Sequence, residues 1–348
     1  MVVRLTSVLF GLVTAAALPS HAAQLRAYAG VVAGNAQGTG SIFACATSGP
    51  TIGNGWFAGV AIPTEGFSGC NLAGGIDDHV AASGPLTASQ TGTAPMVSGL
   101  GTYTGSAQAR ADYWSVGVST EGTATGGTSS STYHQAAAFA SFTDTLTLRK
   151  TGIATGTAGS TDFTFLVEGA MQSLSHSPYA QQADVRLGIR VNGRYIWDSF
   201  MATTYGSADT PYVRGGATGL PGSFAIGPGS LSGSALVTST ANFDIQWGVP
   251  FTVEVALLSS AYPCCHGASN SADFLNTALL KGIVARGPGG EVTGFDVLAE
   301  SGAKLGPQGL MATVPEPSTW SLMVAGLAFS AWRIRRRQPA ARRYRPAR

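Results

Sequence analysis

Asp184–Val191 (DVRLGIRV), Asn192-Gly193 and Arg194–Phe200 (RYIWDSF) form the stretch that decides the fold. Two runs patterned as strands flank a dipeptide in which both residues tolerate φ > 0, as the central pair of a type I′ hairpin turn requires. The reading is an antiparallel β-hairpin. Working outward, the same character recurs in Asp144–Lys150, Asp162–Met171, Ala235–Thr240, Phe243–Trp247, Phe251–Leu258, Leu279–Ala285 and Glu291–Ala299, the last two split by a Gly-rich turn opening at Arg286. Short strands at near-regular spacing predict an all-β fold, an antiparallel β-sandwich of jelly-roll-like type.

Composition agrees with that prediction. Of 348 residues 47 are Gly, only 11% are charged and 44% are apolar. Gly and β-branched residues are poor helix formers, and the apolar share is too high for a disordered chain. The part before Ser131 is rich in Gly, Ala, Ser and Thr with scattered aromatics such as Trp56, Phe57, Tyr103, Tyr113 and Trp114. Gly122–Ser131 (GTATGGTSSS) reads as a flexible loop, and a subdivision of the body near 122–131 is an open alternative to one domain.

The two ends read as addresses. Residues 1–22 have the three parts of a secretory signal peptide in order: Arg4, the apolar run Val8–Leu18, and small residues ahead of a cleavage point between Ala22 and Ala23. That run of 11 residues is too short for a bilayer, which needs about 20. The chain is thus expected to use the Sec translocon. At the other end, Pro315-Glu316-Pro317 precedes an apolar segment containing Gly326 and framed by Trp320 and Trp332. Arg333, Arg335, Arg336 and Arg337 follow. Interfacial Trp and a positive-inside cluster predict a transmembrane helix over 319–334, with 338–348 as a basic cytoplasmic tail and the body, 23–313, outside. The prolines hold their segment extended and block helix propagation into the body.

The stretch 314–337 resembles the PEP-CTERM sorting tail of Gram-negative bacteria, also labelled an ice-binding-protein C-terminal motif. Pro-Glu-Pro, a short Gly-containing hydrophobic helix and an Arg cluster all stand in order, and only the longer basic tail departs from the pattern. The resemblance implies recognition by an exosortase-type transpeptidase near Pro315-Glu316-Pro317, passage through an inner-membrane intermediate, removal of the hydrophobic tail, and delivery to the cell surface or an exopolysaccharide matrix. A simple retained anchor is the alternative. The hairpin region from Ser271 to Gly302 also resembles the last hairpin of many PEP-CTERM ectodomains, which implies a β-sandwich and no activity.

Charge narrows the partners further. Eight Arg follow Trp332, whereas eleven basic and seventeen acidic residues lie between Gln24 and Val314, a net of −6 for the body. The basic residues flank an apolar segment, so nucleic acid is not an expected partner. Four cysteines in an exported chain, Cys45, Cys70, Cys264 and Cys265, are disulfide candidates with three connectivities. One His beside the adjacent pair Cys264-Cys265 does not make a closed tetrahedral zinc site, so no metal is expected there.

Catalytic signatures are absent: no H-E-x-x-H, no G-x-S-x-G, no P-loop, no G-x-G-x-x-G and no C-x-x-C. Asp77-Asp78-His79 is the densest ionisable cluster, read as a solvated turn after Gly74-Gly75, with a structural Ca²⁺ site or half of a catalytic pair as the sharper alternatives. Thr-x-Thr recurs at Thr91, Thr102, Thr123, Thr145 and Thr155, but intervening positions interrupt the regular array that an ice-binding face needs. The expectation is a non-enzymatic, cofactor-free surface or matrix protein, structural or adhesive, whose hydroxyls and aromatics suit exopolysaccharide in a biofilm. A carbohydrate-active hydrolase on the same scaffold would need two convergent carboxylates.

Overall fold

A computed structural model describes residues 23–35, 56, 70–95, 101–126, 132–174, 182–203, 223–227, 229–239, 243–262, 267–276 and 278–311. By contacts the chain divides into two units, Met1–Leu310 and Met311–Arg348. The signal segment, Cys45, Cys264, Cys265 and the whole tail with its expected helix and Arg cluster lie outside the described residues.

Every element described in the first unit is a strand. In chain order they are β1 (Gln24–Asn35), β2 (Cys70–Ala81), β3 (Leu86–Pro95), β4 (Gly101–Asp112), β5 (Ser115–Gly126), β6 (Thr132–Arg149), β7 (Ala158–Leu174), β8 (Gln182–Val191), β9 (Arg194–Thr203) and β10 (Ser223–Gly227). They continue as β11 (Ser230–Thr238), β12 (Phe243–Gln246), β13 (Phe251–Tyr262), β14 (Ala268–Phe274), β15 (Leu279–Gly287), β16 (Gly290–Val292), β17 (Asp296–Ala299), β18 (Leu305–Gly306) and β19 (Gly309–Leu310).

Two antiparallel sheets result. Sheet A runs β2-β1-β6-β13-β8-β9; β17 takes over from β1 along the far end of the long β6 and leads to β18 and β19. Sheet B runs β3-β4-β5, then β14 and β15, then β7, with β11 and β12 on the other edge of β7, β10 beside β11 and β16 beside β15. The deciding hairpin is β8–β9: Asn192 and Gly193 have φ of 48° and 75°, and the Asn192 side chain accepts the Thr252 N–H at 2.9 Å.

Period-2 burial on both sheets produces the core. Val253, Val255 and Leu257 of β13, Val185, Leu187 and Ile189 of β8, and Phe163, Phe165 and Val167 of β7 belong to one apolar cluster that also takes in Leu25, Ala27 and Ala29 of β1 and Ala107, Ala109 and Ala111 of β4. Each large buried aliphatic or aromatic side chain is worth roughly 1.5–3 kcal/mol of transfer free energy. Trp114 sits at its centre, 4.9 Å from Phe142 and 6.1 Å from Phe163 by ring centroids.

Two expectations are corrected. Gly122–Gly126 is not loop but the end of β5, paired with Gly101–Gly105 of β4. Its alternate residues are small, so the strand lacks the apolar amplitude that reveals strands by sequence. Glu291–Ala299 is not one strand: β16 belongs to sheet B and β17 to sheet A. Between them Gly294, at φ 62°, turns the chain and Phe295 drops into the core against Trp247, 6.0 Å away.

Candidate functional site

The outer face of sheet B presents hydroxyls in register. On β4 the residues alternate strictly, with Tyr103, Ala107, Ala109 and Ala111 inward and Thr102, Thr104, Ser106, Gln108 and Arg110 outward. The ladders place Thr93, Thr104, Thr123 and Ser269 in one row across β3, β4, β5 and β14. Thr91, Ser106, Glu121 and Ser271 form the next row, and Ser89, Gln108, Ser119 and Asp273 the one after. Thr102 and Thr125 flank the first row on its other side. Neighbours within a row are about 4.8 Å apart and rows about 7 Å.

Several of these hydroxyls are within hydrogen-bond reach of each other: Thr93 Oγ1 and Thr104 Oγ1 at 3.3 Å, and Thr123 Oγ1 and Ser269 Oγ at 3.4 Å. Thr125 Oγ1 donates to the Thr102 carbonyl at 3.2 Å. A hydroxyl both donates and accepts, so a partly paired row still offers lone pairs and protons to a ligand. Three of the five Thr-x-Thr motifs therefore meet in one patch, where the sequence reading expected the intervening positions to break the pattern. The signal was the shared spacing of Thr91, Thr102 and Thr123. What could not be seen was that antiparallel pairing of β3 with β4 and of β4 with β5 brings those spacings into register.

The aromatics are elsewhere. Tyr103, Tyr113, Trp114 and Trp56 are all buried, so the expectation that they stud the surface for sugar stacking is corrected. Tyr103 lies over Gly105, and Tyr28 over Gly30, where a Cβ would collide with the phenol. Burial drives both phenol pKa values upward. Trp56 packs on the outer face of sheet A, with the Arg190 guanidinium 3.8 Å from its ring centroid and 4.2 Å from that of Tyr195.

Asp77, Asp78 and His79 lie on β2 and not in a turn. Asp78 takes two hydrogen bonds from Arg26 on β1, at 3.0 and 2.7 Å. Asp77 accepts the backbone N–H of Ser89 at 2.8 Å and lies 2.7 Å from His79 Nε2. Ser89 is on the edge strand of sheet B, so this carboxylate caps an edge N–H and joins the two sheets along one side. Gln90 reinforces the seam by donating to the Gly74 carbonyl. Among the described residues no group of three or more His, Cys, Asp or Glu is placed to hold a metal ion.

Asp144 is the carboxylate that sequence reasoning passed over. It is fully buried, yet Trp114 Nε1 donates to it at 2.8 Å, Ser301 Oγ at 2.6 Å, and the N–H groups of Thr145 and Ser301 at 2.9 and 3.0 Å. Burial pushes its carboxyl above the usual range, against the opposing pull of those donors. It ties β6 to the β4–β5 turn, where Trp114 has φ 67°, and to the segment after β17. Cys70 opens β2, and the other disulfide candidates, Cys45, Cys264 and Cys265, lie outside the described residues.

The tail is decided by comparison. Residues 313–337 match the PEP-CTERM protein-sorting motif. The PEP-CTERM match spans Pro315-Glu316-Pro317, Trp320, Gly326, Trp332 and the cluster Arg333 to Arg337, as the sequence resemblance had it. It points to an exosortase-targeted, exported protein in general terms. No curated protein and no solved structure matches the chain.

Proposed function

We propose that this is a non-enzymatic protein, exported through the Sec translocon as an inner-membrane intermediate. An exosortase then sorts it near Pro315-Glu316-Pro317 to the surface or exopolysaccharide matrix of a Gram-negative cell. Its body is a jelly-roll-like β-sandwich whose outer sheet-B face adheres to neutral polysaccharide. The registered Thr/Ser rows of β3, β4, β5 and β14 carry this reading. A polysaccharide offers a dense set of hydroxyl donors and acceptors, and a registered array of side-chain hydroxyls can exchange hydrogen bonds with it. Glu121, Gln108 and Asp273 interrupt the rows, which suits a hydrated polymer better than an ice lattice.

The position of the carboxylates favours the non-enzymatic reading over a hydrolase. Asp144, whose pKa is raised, is sealed in the core, and Asp162 is paired with Arg286 at 2.6 Å. A glycosidase needs two carboxyls converging on an open cleft.

The test is binding of the protein recovered from its host to the host's own exopolysaccharide. Saturable binding that Thr104→Val with Thr123→Val abolishes at unchanged melting temperature is the expected result. An absence of saturable binding overturns adhesion. Intact mass of the matrix form tests sorting: it should lack residues before Ala23 and those from the Pro-Glu-Pro segment onward.

A further inference from the structure

At one end of the first unit, the end of β6, the β6–β7 connection, the β12–β13 turn and the start of β17 enclose a recess of about 290 Å³. Its walls are Arg149, Lys150, Thr151, Ile153, Thr155, Trp247, Gly248 and Asp296. Backbone hydrogen bonds fix them in place: Gly156 N–H to the Trp247 carbonyl at 2.8 Å, Trp247 N–H to the Thr157 carbonyl at 2.9 Å, and Gly248 N–H to the Leu148 carbonyl at 2.8 Å. Trp247 is further held by Phe295 and by its indole N–H, which donates to the Arg286 carbonyl at 3.3 Å. The recess is therefore preformed, which lowers the ordering cost of binding.

Its chemistry differs from that of the rest of the body. Two cations stand side by side here although the body carries a net of −6. Lys150 Nζ uses one donor on the Gly294 carbonyl, at 2.9 Å. Arg149 and Asp296 are cross-strand partners in register, yet among the described residues no ion pair joins them. A guanidinium fork is matched to a carboxylate. Asp296 and the Thr151 and Thr155 hydroxyls accept from hydroxyl donors, and the half-buried Ile153 gives an apolar patch for ring C–H groups. A carboxylate so close to the cations disfavours a doubly charged phosphate or sulfate. It suits a singly charged ligand that also brings hydroxyls.

We propose that this recess binds a uronate, one carboxylate-bearing sugar unit, with Arg149 and Lys150 on the carboxylate and Asp296 on ring hydroxyls. The site is separate from the hydroxyl face of sheet B, and the inference stands whether or not that face is adhesive. Full-length protein in detergent is titrated with glucuronate, glucose and inorganic phosphate, followed by calorimetry. Glucuronate should bind saturably, with glucose and phosphate both clearly weaker. Arg149→Met should weaken glucuronate by roughly tenfold to a hundredfold, as loss of a charge-assisted hydrogen bond does, at unchanged melting temperature. Asp296→Asn should narrow the gap between glucuronate and phosphate. Phosphate binding as well as glucuronate would reduce the recess to a plain anion site and overturn the proposal, as would glucuronate binding that Arg149→Met leaves intact or no glucuronate binding at all. Loss of host-polysaccharide binding in the Thr104→Val, Thr123→Val protein with glucuronate binding kept separates the two surfaces.

Discussion

The outer faces of the two sheets are opposites. On sheet A the row Asp78, Tyr28, Phe139, Leu258, Arg186 crosses β2, β1, β6, β13 and β8. Tyr28, Phe139, Leu258, Ala137 and Ala256 there form a second buried cluster, with Trp56 packed on it. On sheet B the corresponding face of β3, β4, β5 and β14 is mostly Thr and Ser, with Gln108 and the charged Arg110, Glu121 and Asp273 among them, and its residues are exposed or half-buried. Sheet A is thus buried on both sides in its middle strands, which explains β6: its run Ala136, Ala137, Ala138, Phe139, Ala140 is apolar without alternation and wholly buried. A face that is sealed contributes stability, and a face left polar and open contributes contact.

The strongest way to break that contrast is Phe139→Ala. Phe139 is fully buried, so removing its ring should cost about 3–5 kcal/mol. Chemical unfolding measures it, and a cost near that of a surface substitution would mean that the outer side of sheet A is not a core. Next in size is Asp144→Asn, which probes how the sheets are tied. The amide cannot accept from all four donors, and the Trp114 indole N–H is left facing an N–H group, at about 1–3 kcal/mol.

The pH dependence of that second cost has a definite sign. Burial raises the folded-state pKa of Asp144 above its ordinary value of 3.8. A raised carboxyl stabilises the fold fully below the unfolded value, and that contribution is lost as pH rises through the folded value. Asn has no such dependence. The cost of Asp144→Asn should therefore be greater near pH 4 than at pH 7. Equal costs at both would show that the donors cancel the effect of burial.

Arg190→Met comes third. It removes the guanidinium that faces both Trp56 and Tyr195 and donates to the Tyr195 hydroxyl at 2.7 Å. A loss of about 1–2 kcal/mol is expected for a largely desolvated cation–π contact. Quenching of Trp56 is the second readout, since its ring would lose its cover. Unchanged stability and fluorescence would place the Trp56 contact outside the stabilising part of sheet A.

What sequence could show follows the same divide. The strands of the second half alternate large apolar with polar residues, and Asn192-Gly193 supplied a turn with a stated backbone need, so β7, β8, β9, β11 and β13 were legible. The strands β1 to β5 were not. In β3 and β4 the inward residues are mostly Ala and Gly, which alternate with Ser and Thr at almost no hydrophobic contrast. The β4–β5 turn is Tyr113-Trp114, a pair without turn chemistry, in which Trp114 is held at φ 67° by its hydrogen bond to Asp144 and by core packing. Asp77 and Asp78 were visible as a cluster, but their work on Ser89 and Arg26 depends on strands that sequence did not reveal. The sorting motif at 313–337 was legible because it is a linear signature. A peptide motif read in extended form needs no tertiary structure to be seen.

The smallest effect on stability should accompany the largest effect on adhesion. Thr104 and Thr123 are outward on neighbouring strands, and Val keeps their shape and β-branching while deleting the hydroxyl. Thr104→Val and Thr123→Val together should shift unfolding by no more than about 0.5 kcal/mol, as surface substitutions do. Val in place of Thr makes the row apolar, so a polymer held by hydrogen bonds should leave the surface while one held by general stickiness should bind more tightly. Binding of the host polysaccharide to the doubly substituted protein therefore discriminates by sign. Weaker binding at equal stability ties adhesion to the Thr rows. Stronger binding removes hydrogen bonding as the basis of contact, and with it the reason for leaving sheet B open where sheet A is sealed.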